Sequence, residues 1–182
     1  PRSPTRLGAS MRRFLSVIFV LVSGLWFAQV QVSSLFLLQA YYTASIQAYL
    51  LLATAWIVGA LLGVWITAQV GVLLWLQSGL WSFALVRIWS EQMSFPIELA
   101  WALLVLTALP AGQLFQGEAE YWPNVGRLFF VEALGFVLGL ILATGLLMQF
   151  GLGFCETVPA QALVCASMAF ALGKGRGMRN ES

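Results

Sequence analysis

The chain has 182 residues, 60% of them hydrophobic and only 9% charged, with a formal net charge of +2. A soluble domain carries about 25% charged residues, so this one lacks the polar surface that water requires, and its mean hydropathy of +0.88 points to an integral membrane protein. The absence of histidine and aspartate removes most metal and haem ligation, and the few basic residues, without an aromatic platform, exclude a nucleic-acid surface.

Seven of the nine basic residues flank the apolar part: Arg2, Arg6, Arg12 and Arg13 before it, Lys174, Arg176 and Arg179 after it. The positive-inside rule then places both termini in the cytoplasm and requires an even number of spans. Residues 1–13 read as a cytoplasmic tail, 14–172 as the transmembrane domain and 173–182 as a second cytoplasmic tail.

The first span is expected over Phe14–Leu38. Met11-Arg12-Arg13 before an apolar run imitates a signal peptide, but the run continues too far and lacks a small-residue cleavage site. Gln29, Gln31, Ser33, Ser34 and Gln39 make one side of this span polar. They would line a solute path or hydrogen-bond neighbouring helices. The second span covers about Ala44–Thr67 and the third Val70–Trp89, with Arg87 and Glu91 placed for an i, i+4 pair. Ser94 and Pro96 suit the start of a fourth helix, Ile97–Phe115, which Pro110 should kink. The loop Gln116–Arg127 is polar, and its Glu118 and Glu120 are expected in solvent.

The fifth span, Val125–Phe150, carries the one carboxylate well inside an apolar run, Glu132. Glu132, Gly135 and Gly139 share a helix face, and that face should meet protein, because lipid offers a carboxylate nothing. Glu132 is read either as an ion or solute site, together with Gln31 and Gln29, or as a side chain that snorkels to the interface or hydrogen-bonds a neighbouring helix. A short, alanine-rich sixth span follows, Val158–Leu172. Cys155 and Cys165 are expected as unpaired thiols, Cys165 as a packing residue.

The expected fold is therefore all-α, with six transmembrane helices. Gly59 and Gly63 in span two repeat as Gly135 and Gly139 in span five, 76 residues on. Three spans per unit would make this a 3+3 inverted repeat. These four glycines are the candidate helix-packing or partner-docking residues. No nucleophile–base pair, phosphate loop or metal spacing is present, so neither a catalytic site nor a cofactor is expected.

Ser23-Gly24, Gly59, Gly63, Ala111-Gly112, Phe115 and the stretch Gly126-Arg127-Leu128-Phe129 with Glu132, Leu134-Gly135 and Leu138-Gly139 together resemble the membrane part of bacterial membrane-bound spermidine synthase-like proteins. The resemblance spans roughly Val22 to Leu147. It implies half of a major-facilitator-type architecture and the inner membrane of a bacterium. Two charges usual in that family are missing, at Gln31 and near Phe36, and the soluble aminopropyltransferase domain has no counterpart, so the family's enzyme activity is not carried over.

Three functions are expected in order. The first is a non-catalytic, multi-pass subunit that packs against and supports other membrane protein subunits through its glycine faces. The second is a half-size transporter of a small polar or cationic solute, working as a homo-oligomer with Glu132 as its acid. The third is an enzyme acting with a separately encoded soluble synthase.

Overall fold

The computed structural model describes residues 6–41, 46–66, 71–91, 96–119 and 121–180. Ser94 and Glu120, given roles above, lie outside them, as does Arg2. The described residues are all-helical, in the order α1 (Arg6–Tyr41), α2 (Ile46–Val64), α3 (Gly71–Ser90), α4 (Ile97–Ala119), α5 (Val125–Phe150), a 3-10 turn (Gly151–Thr157) and α6 (Val158–Asn180). Four stretches are long and apolar enough to cross a membrane: Met11–Ala40, Ile46–Val64, Ile97–Ala119 and the continuous Val125–Leu172. Helices of this kind mark a membrane protein. The last stretch has 48 residues, about 72 Å if it were straight, and contains α5 and the part of α6 up to Leu172. The apolar part of α3, Val72–Ile88, is shorter.

Helix ends differ from the sequence expectation where polar residues continue a helix. α1 begins at Arg6 and α6 reaches Asn180, so parts of both expected tails are helical. α4 runs through Pro110 to Ala119. This carries Glu118 into the helix end, where it is buried and accepts a hydrogen bond of 2.6 Å from Ser16 Oγ. The expectation of a solvated Glu118 is corrected by that partner, which makes burial tolerable. At the start of α5, the Asn124 side chain caps the helix by accepting from the Gly126 N–H. At its end, Gly151 takes a φ of 60°, a conformation that costs glycine little. Arg87 and Glu91 form the expected i, i+4 ion pair at 2.5 Å.

Packing is organised in helix pairs. α1 lies along α5, α2 along α4, and α3 along α6. The first two pairs are held by close backbone approach. A Cβ placed on Gly135 would overlap the Leu21 carbonyl, and one on Gly139 would meet Leu25 O at 2.5 Å and Ala28 Cβ at 2.8 Å. From the other side, a Cβ on Gly24 would run into Glu132 O and reach Phe136 N at 3.0 Å. The α2–α4 seam has the same form. A Cβ on Gly59 would strike Val105 O and the Ala108 methyl, one on Gly63 the Leu109 carbonyl, and one on Gly112 the Ala60 carbonyl. Each seam thus sets a Gly-x-x-x-Gly against a second small-x-x-x-small, Gly24/Ala28 in α1 and Ala108/Gly112 in α4. Within each seam, numbers rise together on both helices, so the paired helices are parallel.

The remaining contacts fix the other directions. Trp26 in α1 donates from Nε1 to the Val158 carbonyl at the start of α6 (3.0 Å), while Leu172, far along α6, lies with Arg12 and Ser16 near the start of α1. α6 therefore runs antiparallel to α1. Trp75 of α3 meets Phe19, Trp26 and Phe27, and Leu85 and Val86 lie with Ser33 and Leu37, so α3 is parallel to α1. Phe115 lies with Phe27 and Glu118 with Ser16, which makes α4 antiparallel. Each helix thus reverses the direction of the one before it. The centre is aromatic: Trp75 stacks on Phe27 with centroids 5.5 Å apart, and Trp26 and Phe19 meet the Trp75 ring edge-on. Cys155 and Cys165 are free and buried.

Candidate intramembrane groove at Glu132

The α1–α5 and α2–α4 pairs leave a groove of about 230 Å³ between them, walled by Phe27 and Phe136 on one side and by Trp56 and Phe115 on the other. Glu132 lies in this groove. Its position follows from the seam. Gly135 and Gly139 turn one face of α5 onto α1, and Glu132, one helical turn earlier, falls at the edge of that face. The carbonyl of Glu132 packs over Gly24. Phe115 stacks on Phe129 at 4.3 Å, and Phe27 meets Trp56 edge-on at 5.7 Å.

Glu132 is half-buried, and among the described residues no hydrogen bond or ion pair reaches its carboxylate. An acid between helices ordinarily has a partner, because apolar surroundings give its charge no solvation. Here four aromatic side chains, Phe27, Trp56, Phe115 and Phe136, line the same groove instead. A ring face carries negative quadrupolar charge and attracts a cation, so a carboxylate in a groove lined by aromatic side chains is chemically compatible with a positive group. The groove has no nucleophile and no second acid, and no cluster of metal-ligating side chains occurs among the described residues.

The other candidate polar residues are elsewhere. Neither Gln29 nor Gln31 lines the groove. Gln29 is buried at 1% exposure, and its Oε1 has no hydrogen-bond partner among the described residues; Gln31 is half-buried. Ser33 donates to the Val30 carbonyl of its own helix (3.0 Å). Ser33 and Ser34 face a space of about 10 Å³ against α3 and α6, the size of one water. Gln29, Ser33 and Ser34 of the polar side of α1 are therefore packed.

All four candidate glycines are buried against helices of the same chain, Gly59 and Gly63 on α4, Gly135 and Gly139 on α1. Of the aromatic wall, the sequence singled out Phe115 alone, through the family resemblance, and assigned it no role at a site. Phe136 stands one turn after Glu132 on α5, which is a local signal, whereas Phe27, Trp56 and Phe115 reach the groove from three other helices.

No protein-family model, curated protein or solved structure matches this chain.

Proposed function

We propose that the chain is a non-catalytic multi-pass membrane protein that binds a small organic cation in the groove at Glu132, as a half-size transporter. The observation that carries this is the lone carboxylate in an aromatic-walled groove between two helix pairs. Loss of the charge should remove most of the recognition, since aromatic rings alone contribute only about 0.5–2 kcal/mol each. The test is uptake of methylammonium and tetramethylammonium into vesicles containing the full chain. Glu132→Gln should lower uptake at least tenfold; uptake untouched by that substitution would count against the proposal.

The membrane arrangement belongs to the same proposal. Six spans with both termini in the cytoplasm, in a bacterial inner membrane, are supported by the alternating helix directions and by the basic residues at both chain ends. A 3+3 inverted repeat is supported by the registers of the two seams. Gly59 and Gly63 meet Val105 and Leu109, while Gly135 and Gly139 meet Leu21 and Leu25. Exchanging the halves carries each seam onto the other, with α1 corresponding to α4 and α2 to α5. This agrees with the half major-facilitator architecture that the resemblance implies.

A different observation favours a second reading, a supporting subunit of a larger complex. Only Leu128, Gly135, Gly139 and Ala143 of α5 are buried, one narrow stripe of a 26-residue helix. The exposed residues of α5, among them Phe130, Val137, Ile141 and Met148, are free to meet lipid or another subunit. Purification in a mild detergent followed by mass spectrometry separates the readings: a stoichiometric co-eluting membrane protein supports the subunit, and a single chain or symmetric oligomer supports the transporter.

A further inference from the structure

A second cavity lies at one end of the bundle, where α1 begins, α4 ends and α5 begins. It has a volume of about 450 Å³, within the range of small-molecule sites. Arg12, Arg13 and Arg127 line it, against one carboxylate, Glu118. Among the described residues, three guanidiniums against one acid leave two positive charges unbalanced. Glu118 is turned inward, 4% exposed, and accepts from Ser16 Oγ, which in turn accepts from Trp122 Nε1 at 3.0 Å. Arg12 is held over the Tyr121 ring, 4.1 Å from its centroid, which fixes the side chain without neutralising it. Among the described residues neither Arg13 nor Arg127 has an ion-pair partner.

These three arginines come from helix ends 114 residues apart in sequence (Arg13 to Arg127), so the concentration of charge is a product of the fold. The other lining is apolar: Val17, Pro123 and Leu172. A basic cavity with apolar walls at the end of a membrane bundle suits an anionic head group with its first carbons. Guanidinium forks match the oxygens of phosphate better than an ammonium would. We propose that this cavity binds a phosphate monoester or diester, gripped by Arg12, Arg13 and Arg127. The source of the phosphate is an anionic phospholipid or a soluble phosphate ester.

The assignment rests on the bilayer reading of the chain but not on the groove at Glu132, and Glu132→Gln serves as the control that separates them. The full chain is placed in nanodiscs of phosphatidylcholine with or without phosphatidylglycerol, and retained lipid is counted by native mass spectrometry. In parallel, detergent-solubilised chain is titrated with glycerol 3-phosphate. Saturable retention of phosphatidylglycerol over phosphatidylcholine, or saturable binding of glycerol 3-phosphate, supports the site, and which of the two occurs identifies the source. Arg12→Gln with Arg127→Gln should weaken binding about 30-fold, from roughly fivefold per arginine near a membrane surface. Arg127→Gln alone changes an exposed side chain and reports the same loss in smaller measure without threatening the fold. Glu132→Gln should leave binding unchanged. Binding that is equal in the arginine variants, or absent for both phosphate probes, overturns the assignment.

Discussion

Gly135 and Gly145 are both glycines of α5, and they are not equivalent. A side chain at Gly135 would enter the backbone of Leu21, whereas one at Gly145 meets nothing within 4 Å. Gly135→Leu should destabilise the fold by about 1–3 kcal/mol or more, the usual cost of overpacking, and Gly145→Leu should change it by less than about 0.5 kcal/mol. Unfolding of the two variants in mixed micelles checks the difference, and equal stabilities would remove the seam from the argument. Trp26 supplies a second test at this scale. Its Nε1 is the only part of the ring that needs a polar partner, and it reaches the Val158 carbonyl across 132 residues of sequence. Trp26→Phe keeps most of the packing and deletes that bond. It should cost on the order of 1 kcal/mol, of which about 0.6 kcal/mol is typical of an interhelical bond in lipid.

At the scale of elements, the seams work because apolar helices gain little from one another in lipid. Lipid tails are as apolar as leucine, so association depends on close contact and on polar bonds between helices. The α2–α4 seam has contact from Gly59, Gly63 and Gly112, and Trp101 Nε1 donates to Thr54 Oγ1 at 3.2 Å beside it. Ser78 of α3 donates to the Thr107 carbonyl of α4, tying a third helix to that pair. Gly59 and Ala108 are close enough that a Cβ on the first would lie 2.6 Å from the methyl of the second. Gly59→Ala should therefore destabilise, and Ala108→Gly should recover part of the loss, with a coupling energy of about 0.5–3 kcal/mol in a double-mutant cycle. Recovery will be partial, because the Val105 carbonyl stays in place. Strict additivity of the two substitutions would mean that the helices do not meet at this register.

At the scale of the whole molecule, the alternation of six helices puts the start of α1, the end of α4, the start of α5 and Leu172 of α6 at one end of the bundle. Arg12, Arg13 and Arg127 collect there, and the proposed topology puts that end in the cytoplasm. Fluorescent-protein fusions to residue 1 and to residue 182 should then both be bright, since such fusions fold on the cytoplasmic side. One dark fusion would require an odd number of crossings and would break the proposed exchange of α1 with α4 and α2 with α5.

Much of this was legible in the chain itself. Hydropathy and end charges gave the membrane class, and the limits of α5 follow from Asn124 and Gly151 at the ends of its apolar run. Gly59/Gly63 and Gly135/Gly139 stand out because small residues four apart make a bare stripe on any helix. Glu132 stands out because a single charge in an apolar span is costly. What the sequence could not supply is which stripe meets which helix. Gly24 and Gly112 have no assigned neighbour until Glu132 and Ala60 are laid over them, and Glu118 reads as a loop acid until Ser16 covers it. The rings that line the groove with Glu132 come from α1, α2, α4 and α5, and the three arginines from near the starts of α1 and α5. Composition and period are local properties, set by the solvent each residue must tolerate and by 3.6 residues per turn. Convergence of distant side chains depends on helix pairing, and only the tertiary structure chooses among the many pairings that lipid leaves nearly equal.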